Sequence, residues 1–325
     1  DARSGQKSTH RALICEEDGI ALPLRQPSTK SPAVLLHERM GHAGVHRMVQ
    51  AVRRNETLGL KGVTVESVQN LPHCTICSRT KTTKGPTKRK GIRNRPRAKY
   101  VSDLIHTDTC ELSVTSLGNK DRFQTFVDDK TRYCWVETLR GKSREAFTQC
   151  LKTAESRIHI QSRLSQDCDS PSMSMGRPVG SYLCDRAGEM VARSQRARLA
   201  KQRIGITFSV PGHSSMNAIA ERCHRSLLDV CRALLLASGL PLSFWEFGIQ
   251  HAALIHNALP TASNKDPAGG HMSPHEAYFG EKFDFSRLRV FGCVAYPYQK
   301  KRGREHRSKL DPTTRVCAYV GQPRD

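Results

Sequence analysis

No apolar run in the 325-residue chain approaches the roughly 20 residues that a membrane-spanning helix needs, so nothing here reads as a transmembrane segment. The chain does not open on Met or on a secretory leader, and it reads as an internal piece of a longer polyprotein or of a truncated gene product. Closely spaced cysteine is scarce. Of 12 cysteines only Cys74 and Cys77 form a near pair, while Cys15, Cys134, Cys231, Cys317 and the rest are scattered through apolar stretches. That scatter argues against a disulfide framework and for thiols buried in a reducing compartment. Internal repeats are absent, which excludes a solenoid or propeller. No Ser/His/Asp constellation suggests covalent catalysis.

Acidic residues are the minority, 30 against 52 Lys plus Arg, for a formal charge of +22 and a pI near 9.8. Such an excess predicts attraction to a polyanion, most simply nucleic acid. The length allows two or three domains, at least one with a substantial core. Residues 1–31 are polar and aperiodic, expected as a disordered or leftover segment. Residues 32–79 carry the metal-ligand candidates, and 80–99 form a basic linker broken by Pro86 and Pro96. The block 100–265 alternates short β-type runs (104–107, 124–127, 133–138, one ending at Cys184, and 206–210) with helical stretches (143–157, 190–203, 216–238 and 242–258). Gly239 and Pro241 mark a helix stop. Residues 161–180 read as an inserted loop. The segment 266–325 is expected to be β, with runs at 288–296 and 315–320.

Three acids stand out by context. Asp108 ends an apolar run, Asp185 follows Ser-Tyr-Leu-Cys, and Glu221 opens a long helical stretch, with 35 residues between the last two. Acids on two neighbouring strands and a helix can converge, and hard carboxylate oxygens suit a pair of Mg²⁺ or Mn²⁺ ions. Asp128, Asp129 and Glu189 read as turn or structural residues. Four residues separate His37 from His42, two separate Cys74 from Cys77, and 31 lie between the pairs. Two imidazoles and two thiolates so spaced match a closed tetrahedral Zn²⁺ site, which would stabilise a segment too short for a core of its own. His46 and His73 are rival ligands on spacing alone.

These residues resemble the integrase of copia-type LTR retrotransposons. The matching strings are Leu-His-Glu-Arg-Met-Gly-His (36–42), Cys-Thr-Ile-Cys (74–77), His-Thr-Asp (106–108) and Val-Asp-Asp-Lys-Thr-Arg-Tyr-Cys-Trp-Val (127–136). Further matches are Ala-Glu-Arg (220–222), Ser-Gly-Leu-Pro-Leu-Ser-Phe-Trp (238–245), Arg-Val-Phe-Gly-Cys-Val-Ala-Tyr (289–296) and the tail 309–321. The resemblance runs over about 32–322, in the family's order. It implies an α/β fold: a ribonuclease-H-like mixed sheet flanked by helices, preceded by a small helical HHCC zinc module and followed by a small β segment. It also implies His37 and His42 as the zinc ligands, and Asp108, Asp185 and Glu221 as the catalytic, cation-binding triad.

The function implied is metal-dependent 3′-end processing and strand transfer of element DNA into target DNA. The implied setting is a homo-oligomer cut from a larger Pol polyprotein, acting on double-stranded DNA in the nucleus after a cytoplasmic particle stage. DNA-backbone contacts are expected from the helix carrying Arg193, Arg196, Arg198, Lys201 and Arg203, from Arg222 and Arg225 beside Glu221, and from linker residues such as Lys88, Arg89 and Lys90. Departures point to an alternative. Asp185-Arg186-Ala187-Gly188-Glu189 stands where the family has Asp-Asn-Gly-Gly-Glu, and Met216-Asn217-Ala218 where it has Gln-Asn-Gly. A catalytically decayed copy that retains DNA binding is the reading those changes favour. Cleavage of RNA in a hybrid is a weaker third option, since the core architecture is shared with ribonuclease H.

Overall fold

The computed structural model describes residues 13–15, 30–54, 61–81, 96–165, 174–185, 190, 192–209, 217–298 and 312–322. After a leading strand, β1 (Leu13–Cys15), come four short helices: α1 (Pro32–Arg39), α2 (Val45–Arg53), α3 (Val65–Gln69) and α4 (Thr75–Lys81). Local chemistry sets their ends. The Ser31 hydroxyl accepts the Val34 N–H, and Pro32 enters the first turn where no N–H is needed. Thr64 and Ser67 cap α3 reciprocally. Between α1 and α2 the chain reverses through Gly41 and His42, both left-handed at φ 59° and 58°. A Cβ at Gly41 would come within 2.7 Å of Ile255, so glycine also permits close packing there.

The central sheet contains β2 (Leu104–Glu111), β3 (Arg122–Asp128), β4 (Cys134–Leu139), β5 (Ser181–Cys184) and β6 (Gly205–Phe208), in the order β4-β3-β2-β5-β6. The first three form an antiparallel meander, and β5 and β6 add in parallel. Layers cover both faces, and β3 is buried along its whole length. Side chains alternate as a strand requires. Phe123, Val127, Cys134 and Val136 enter one core, while Ile105, Phe126, Trp135, Leu139 and Tyr182 enter the other.

α5 (Arg144–Ser162) and α6 (Arg193–Lys201) supply Phe147, Leu151, Ile158 and Leu199 to the second core. α7 (Ala218–Ser238) and α8 (Trp245–Ala258) back the first. α7 stops at Gly239, left-handed at φ 73°, where the sequence placed its end. The Asn257 amide meets both backbone groups of Cys134 at 2.8 Å, which closes part of the exposed edge of β4.

The helical module packs directly on this body. Leu36, Met40 and Met48 share a core with Leu234, Ile249 and Ile255. Half-buried Arg47 donates to the carbonyls of Leu259 (2.9 Å) and Pro260 (3.0 Å) beyond the end of α8. Arg54 pairs with Asp266 and Glu276, and Arg232 of α7 donates to the Thr80 carbonyl of α4.

Past residue 265 the expected small β segment is present as two short paired strands, with a helix ahead of it that the sequence reading did not include. A short helix, α9 (Pro274–Phe279), is capped by Ser273 and ended by left-handed Gly280. Its Tyr278 hydroxyl lies 2.9 Å from Ser162 and 3.2 Å from Ser102, inside the second core. The two expected runs shrink to β7 (Val294–Ala295) and β8 (Cys317–Tyr319). Leu288 and Phe291 are buried core residues outside any strand. β1 joins these in a three-stranded sheet, β1-β8-β7, so Leu13–Cys15, within the segment expected to be disordered or a leftover, is a strand. Nine described cysteines are free thiols as expected, whereas Cys317 is disulfide-bonded. Among the described residues no helix is long and apolar enough to cross a membrane.

Candidate metal centres

His37 lies at the end of α1, His42 in the tight reversal that follows, and Cys74 and Cys77 at the start of α4. Their donor atoms all lie within 4.8 Å of one another. Cys77 Sγ is 3.4 Å from His37 Nε2, and Cys74 Sγ is 3.5 Å from His42 Nδ1. A zinc ion with sulfur at about 2.3 Å and nitrogen at about 2.05 Å, at a tetrahedral angle, sets those donors about 3.6 Å apart. The cluster therefore fits Zn²⁺ in both chemistry and spacing. The other ring nitrogen of His37, Nδ1, faces the Ala43 carbonyl at 3.1 Å, which leaves Nε2 as the ligand atom. The rivals are placed elsewhere. His46 is exposed against the His271 ring, and His73 meets the Ser78 hydroxyl at 2.9 Å.

The three acids come from the elements the sequence suggested. β2 continues three residues past Asp108, so that residue sits within a strand rather than at its end. The parallel pairing of β2 with β5 runs to Thr107 opposite Cys184. Asp108 and Asp185 are the next positions on two strands about 4.8 Å apart. Glu221 occupies the first turn of α7, whose amino end favours a carboxylate. Asn217, immediately before the helix, donates to the Thr107 carbonyl at 3.3 Å and pins the helix start beside Asp108.

Asp108 and Asp185 are half-buried, Asp108 with 23 % of its side chain exposed, while Glu221 is exposed. Burial pushes its carboxyl up to about 6; the Thr109 N–H opposes the rise, and the charges of Asp185 and Glu221 add to it. Among the described residues the group whose donor atoms converge tightly enough to hold a metal is the His37–His42–Cys74–Cys77 cluster; the three acids share one region of the fold without converging to that degree. Ser209, just past β6, donates to Asp185 Oδ1 at 2.5 Å. His224, one turn beyond Glu221, places Nδ1 3.3 Å from Asp108 Oδ2. Burial lowers His224 to about 4, so the ring is neutral at pH 7. A set of hard carboxylate oxygens around a partly buried acid is suited to Mg²⁺ or Mn²⁺.

The other nearby acids are structural. Buried Asp128 accepts the Ser102 and Thr131 N–H groups, and Asp129 accepts from Ala98, His106 and Arg132. Arg193, Arg196, Lys201, Arg203, Arg222 and Arg225 are all exposed. Arg198, read with them as a DNA contact, instead clamps buried Glu155 at 2.8 and 2.9 Å. Lys88, Arg89, Lys90, the altered loop 186–189, and Ser214 and Ser215 lie outside the described residues. Sequence reasoning missed Ser209, Thr125 and His224. Only His224 carried a signal, its helical i+3 spacing from Glu221.

No protein-family model matches the chain. It is 26 % identical over 289 residues to the retrovirus-related Pol polyprotein from transposon TNT 1-94 of Nicotiana tabacum, covering 88 % of this chain and 19 % of that protein. To the corresponding polyprotein from transposon RE1 of Arabidopsis thaliana it is 28 % identical over 301 residues, 91 % of this chain and 18 % of the relative. The chain therefore spans about a fifth of the length of these relatives. Among solved structures, a chain of the simian T-cell lymphotropic virus intasome, in complex with PP2A regulatory subunit B56 gamma, aligns at TM-score 0.41 and 15 % identity over 88 % of this chain and 86 % of that one. The chain, with its mixed five-stranded sheet and its His/Cys cluster, is thus a homologue of retrotransposon Pol polyproteins, matched over about nine-tenths of its own length.

Proposed function

We propose that the protein trims the ends of element DNA and joins them to target DNA, with Asp108, Asp185 and Glu221 as the carboxylates that hold two Mg²⁺ or Mn²⁺ ions. The observation that carries this reading is the parallel pairing of β2 with β5, which runs to Thr107 opposite Cys184 and so sets Asp108 and Asp185 at the next positions of adjoining strands. Acids so placed are costly alone and are stabilised by cations. When bound, a cation pair activates the attacking oxygen and stabilises the leaving oxygen of an in-line phosphoryl displacement. In trimming the attacking oxygen is water's; in joining it is the DNA 3′-hydroxyl, and each time one P–O bond forms as another breaks.

The chain's own part is positioning. Strands β2 and β5 hold Asp108 and Asp185 side by side, Ser209 orients Asp185, and Asn217 keeps the Glu221 helix against β2. One Zn²⁺ on His37, His42, Cys74 and Cys77 would tie α1 to α4 within the module of residues 32–79, which packs on that body through Leu36, Met40 and Met48. Exposed Arg193, Arg196, Lys201, Arg203, Arg222 and Arg225, with Lys88, Arg89 and Lys90 of the linker, would contact phosphates of double-stranded DNA. Such contacts confer little sequence preference. The same proposal includes a homo-oligomer, release from a longer polyprotein, and action in the nucleus.

The test is a joining assay with the full chain, Mn²⁺ and a labelled duplex end. Joined products are expected. DNA affinity should also fall steeply with salt, by roughly 10³-fold from 50 to 200 mM if about six phosphates are neutralised. Changing Arg222 and Arg225 together to Ala should lower the log–log salt slope by about two. Salt-sensitive binding with neither cleavage nor joining, whichever cation is added, would instead establish the decayed DNA binder suggested by Arg186-Ala187.

A further inference from the structure

Arg39, the last residue of α1, has no role in the reading above. Its side chain is half-buried, and its Nε is buried without a hydrogen-bond partner. Among the described residues no carboxylate meets it, and the adjacent acid, Glu38, pairs with Lys30 at 2.6 Å. The charges that Arg39 senses are those of Arg289 and Cys293. Arg289 is exposed and uses only Nη1, on the Ser286 and Leu288 carbonyls at 2.6 and 3.1 Å. Asp284, five residues before it, is taken up by Arg287.

The fold holds the two arginines together. Leu36 and Met40 of α1 share a core with Leu288 and Phe291, which flank Arg289. The turn beyond Arg289 is fixed by the Cys293 N–H on the Val290 carbonyl (3.0 Å) and the Gly292 N–H on the Tyr319 carbonyl (2.7 Å). Tyr319, near both Arg289 and Cys293, brings a hydroxyl that is also buried without a partner. Burial pushes the Cys293 thiol up against the pull of Arg289 and Arg39, so no thiolate answers the two guanidiniums. Guanidinium stays charged throughout the working pH range. Two such groups side by side repel, and buried donors left unmet are costly. One oxyanion between them offsets both costs, and the planar N–H forks of arginine match phosphate oxygens.

We infer that Arg39 and Arg289, beside the Tyr319 hydroxyl, form a binding site for one phosphate group at the seam between α1 and the β7–β8 segment. The phosphate is either part of a nucleic-acid backbone or free in solution. The site stands apart from the proposed cation set of Asp108, Asp185 and Glu221, and neither reading depends on the other.

The test compares Arg39→Gln, Arg289→Gln and Arg287→Gln in the full chain, with zinc content checked for each. Arg287, with 82 % of its side chain exposed, is the charge-matched control. In the first arm inorganic phosphate replaces chloride at constant ionic strength while the melting temperature is followed. Wild type and Arg287→Gln should gain stability. The two site variants should need about 10-fold more phosphate for half the shift. The second arm measures the salt dependence of binding to duplex DNA. If the backbone fills the site, each site variant lowers the log–log slope by about one and Arg287→Gln leaves it unchanged. A phosphate response lost in the site variants, with unchanged DNA slopes, assigns the site to free phosphate. Lowered slopes without a phosphate response assign it to the nucleic-acid backbone. If neither arm separates the site variants from Arg287→Gln, the site is refuted. Should Arg39→Gln fail to fold or to hold zinc, the comparison of Arg289→Gln with Arg287→Gln decides alone.

Discussion

Asp108→Asn is expected to abolish DNA joining and, without Mg²⁺ or Mn²⁺, to raise the melting temperature. Both effects come from one carboxylate. Its folded value of about 6 lies above the ordinary 3.8. Between roughly pH 4 and 6 the folded chain therefore keeps a proton that the unfolded chain has released, and stability falls as pH rises through that window. Above it the full cost is present, at most about 3 kcal/mol and about 2 kcal/mol after allowing for partial exposure. Asparagine removes the charge and recovers that cost, so the variant should melt a few degrees higher at pH 7.5 in buffer that keeps zinc but lacks the other cations. Added Mn²⁺ should reverse the ranking by stabilising the wild type alone. Joining should drop by at least ~10³-fold, a barrier increase of roughly 4 kcal/mol. A variant that joins DNA within tenfold of wild type would remove Asp108 from the mechanism.

Loss of zinc should unfold more than the module that binds it. Cys77→Ser leaves three good ligands and a poor fourth, and zinc binding supplies on the order of 10 kcal/mol to small zinc-folded peptides. Leu36, Met40 and Met48 belong to the core that α7 and α8 line, and Arg47 caps carbonyls just beyond α8. Hydrogen exchange should therefore show residues 32–53 and 75–81 losing protection by about 10²-fold or more, with a smaller loss at Val230–Leu234 of α7. Unchanged protection in α7 alongside full exchange in the module would show that the two fold independently.

Much of this arrangement was legible because it is written in local spacing. The two His/Cys pairs sit at hairpin-scale intervals, the strands around Asp108 and Asp185 show apolar runs, and Gly239 marks its helix end. What stayed hidden depends on partners distant in the chain. Leu13–Cys15 becomes a strand only because β8 offers an edge. The run 288–296 is apolar because Leu288 and Phe291 fill the core, while left-handed Gly292 (φ 78°) turns the backbone away from a continuous strand. The short helix at Pro274 carried its Ser-Pro start and Gly stop, but six residues show too little periodicity. Arg198 looks like its basic neighbours until buried Glu155 is placed beneath it. The partners of Asp108 and Asp185, namely Thr125, His224 and Ser209, are set by strand register and helix rotation, which composition does not encode.

The most direct test of the central claim is a manganese anomalous difference map from crystals of the full zinc-loaded chain soaked in Mn²⁺. The account predicts a peak, or a pair, within about 2 Å of carboxylate oxygens from Asp108, Asp185 and Glu221, well apart from zinc at His37, His42, Cys74 and Cys77. Manganese bound only elsewhere, with no peak shared by those three acids, would contradict it.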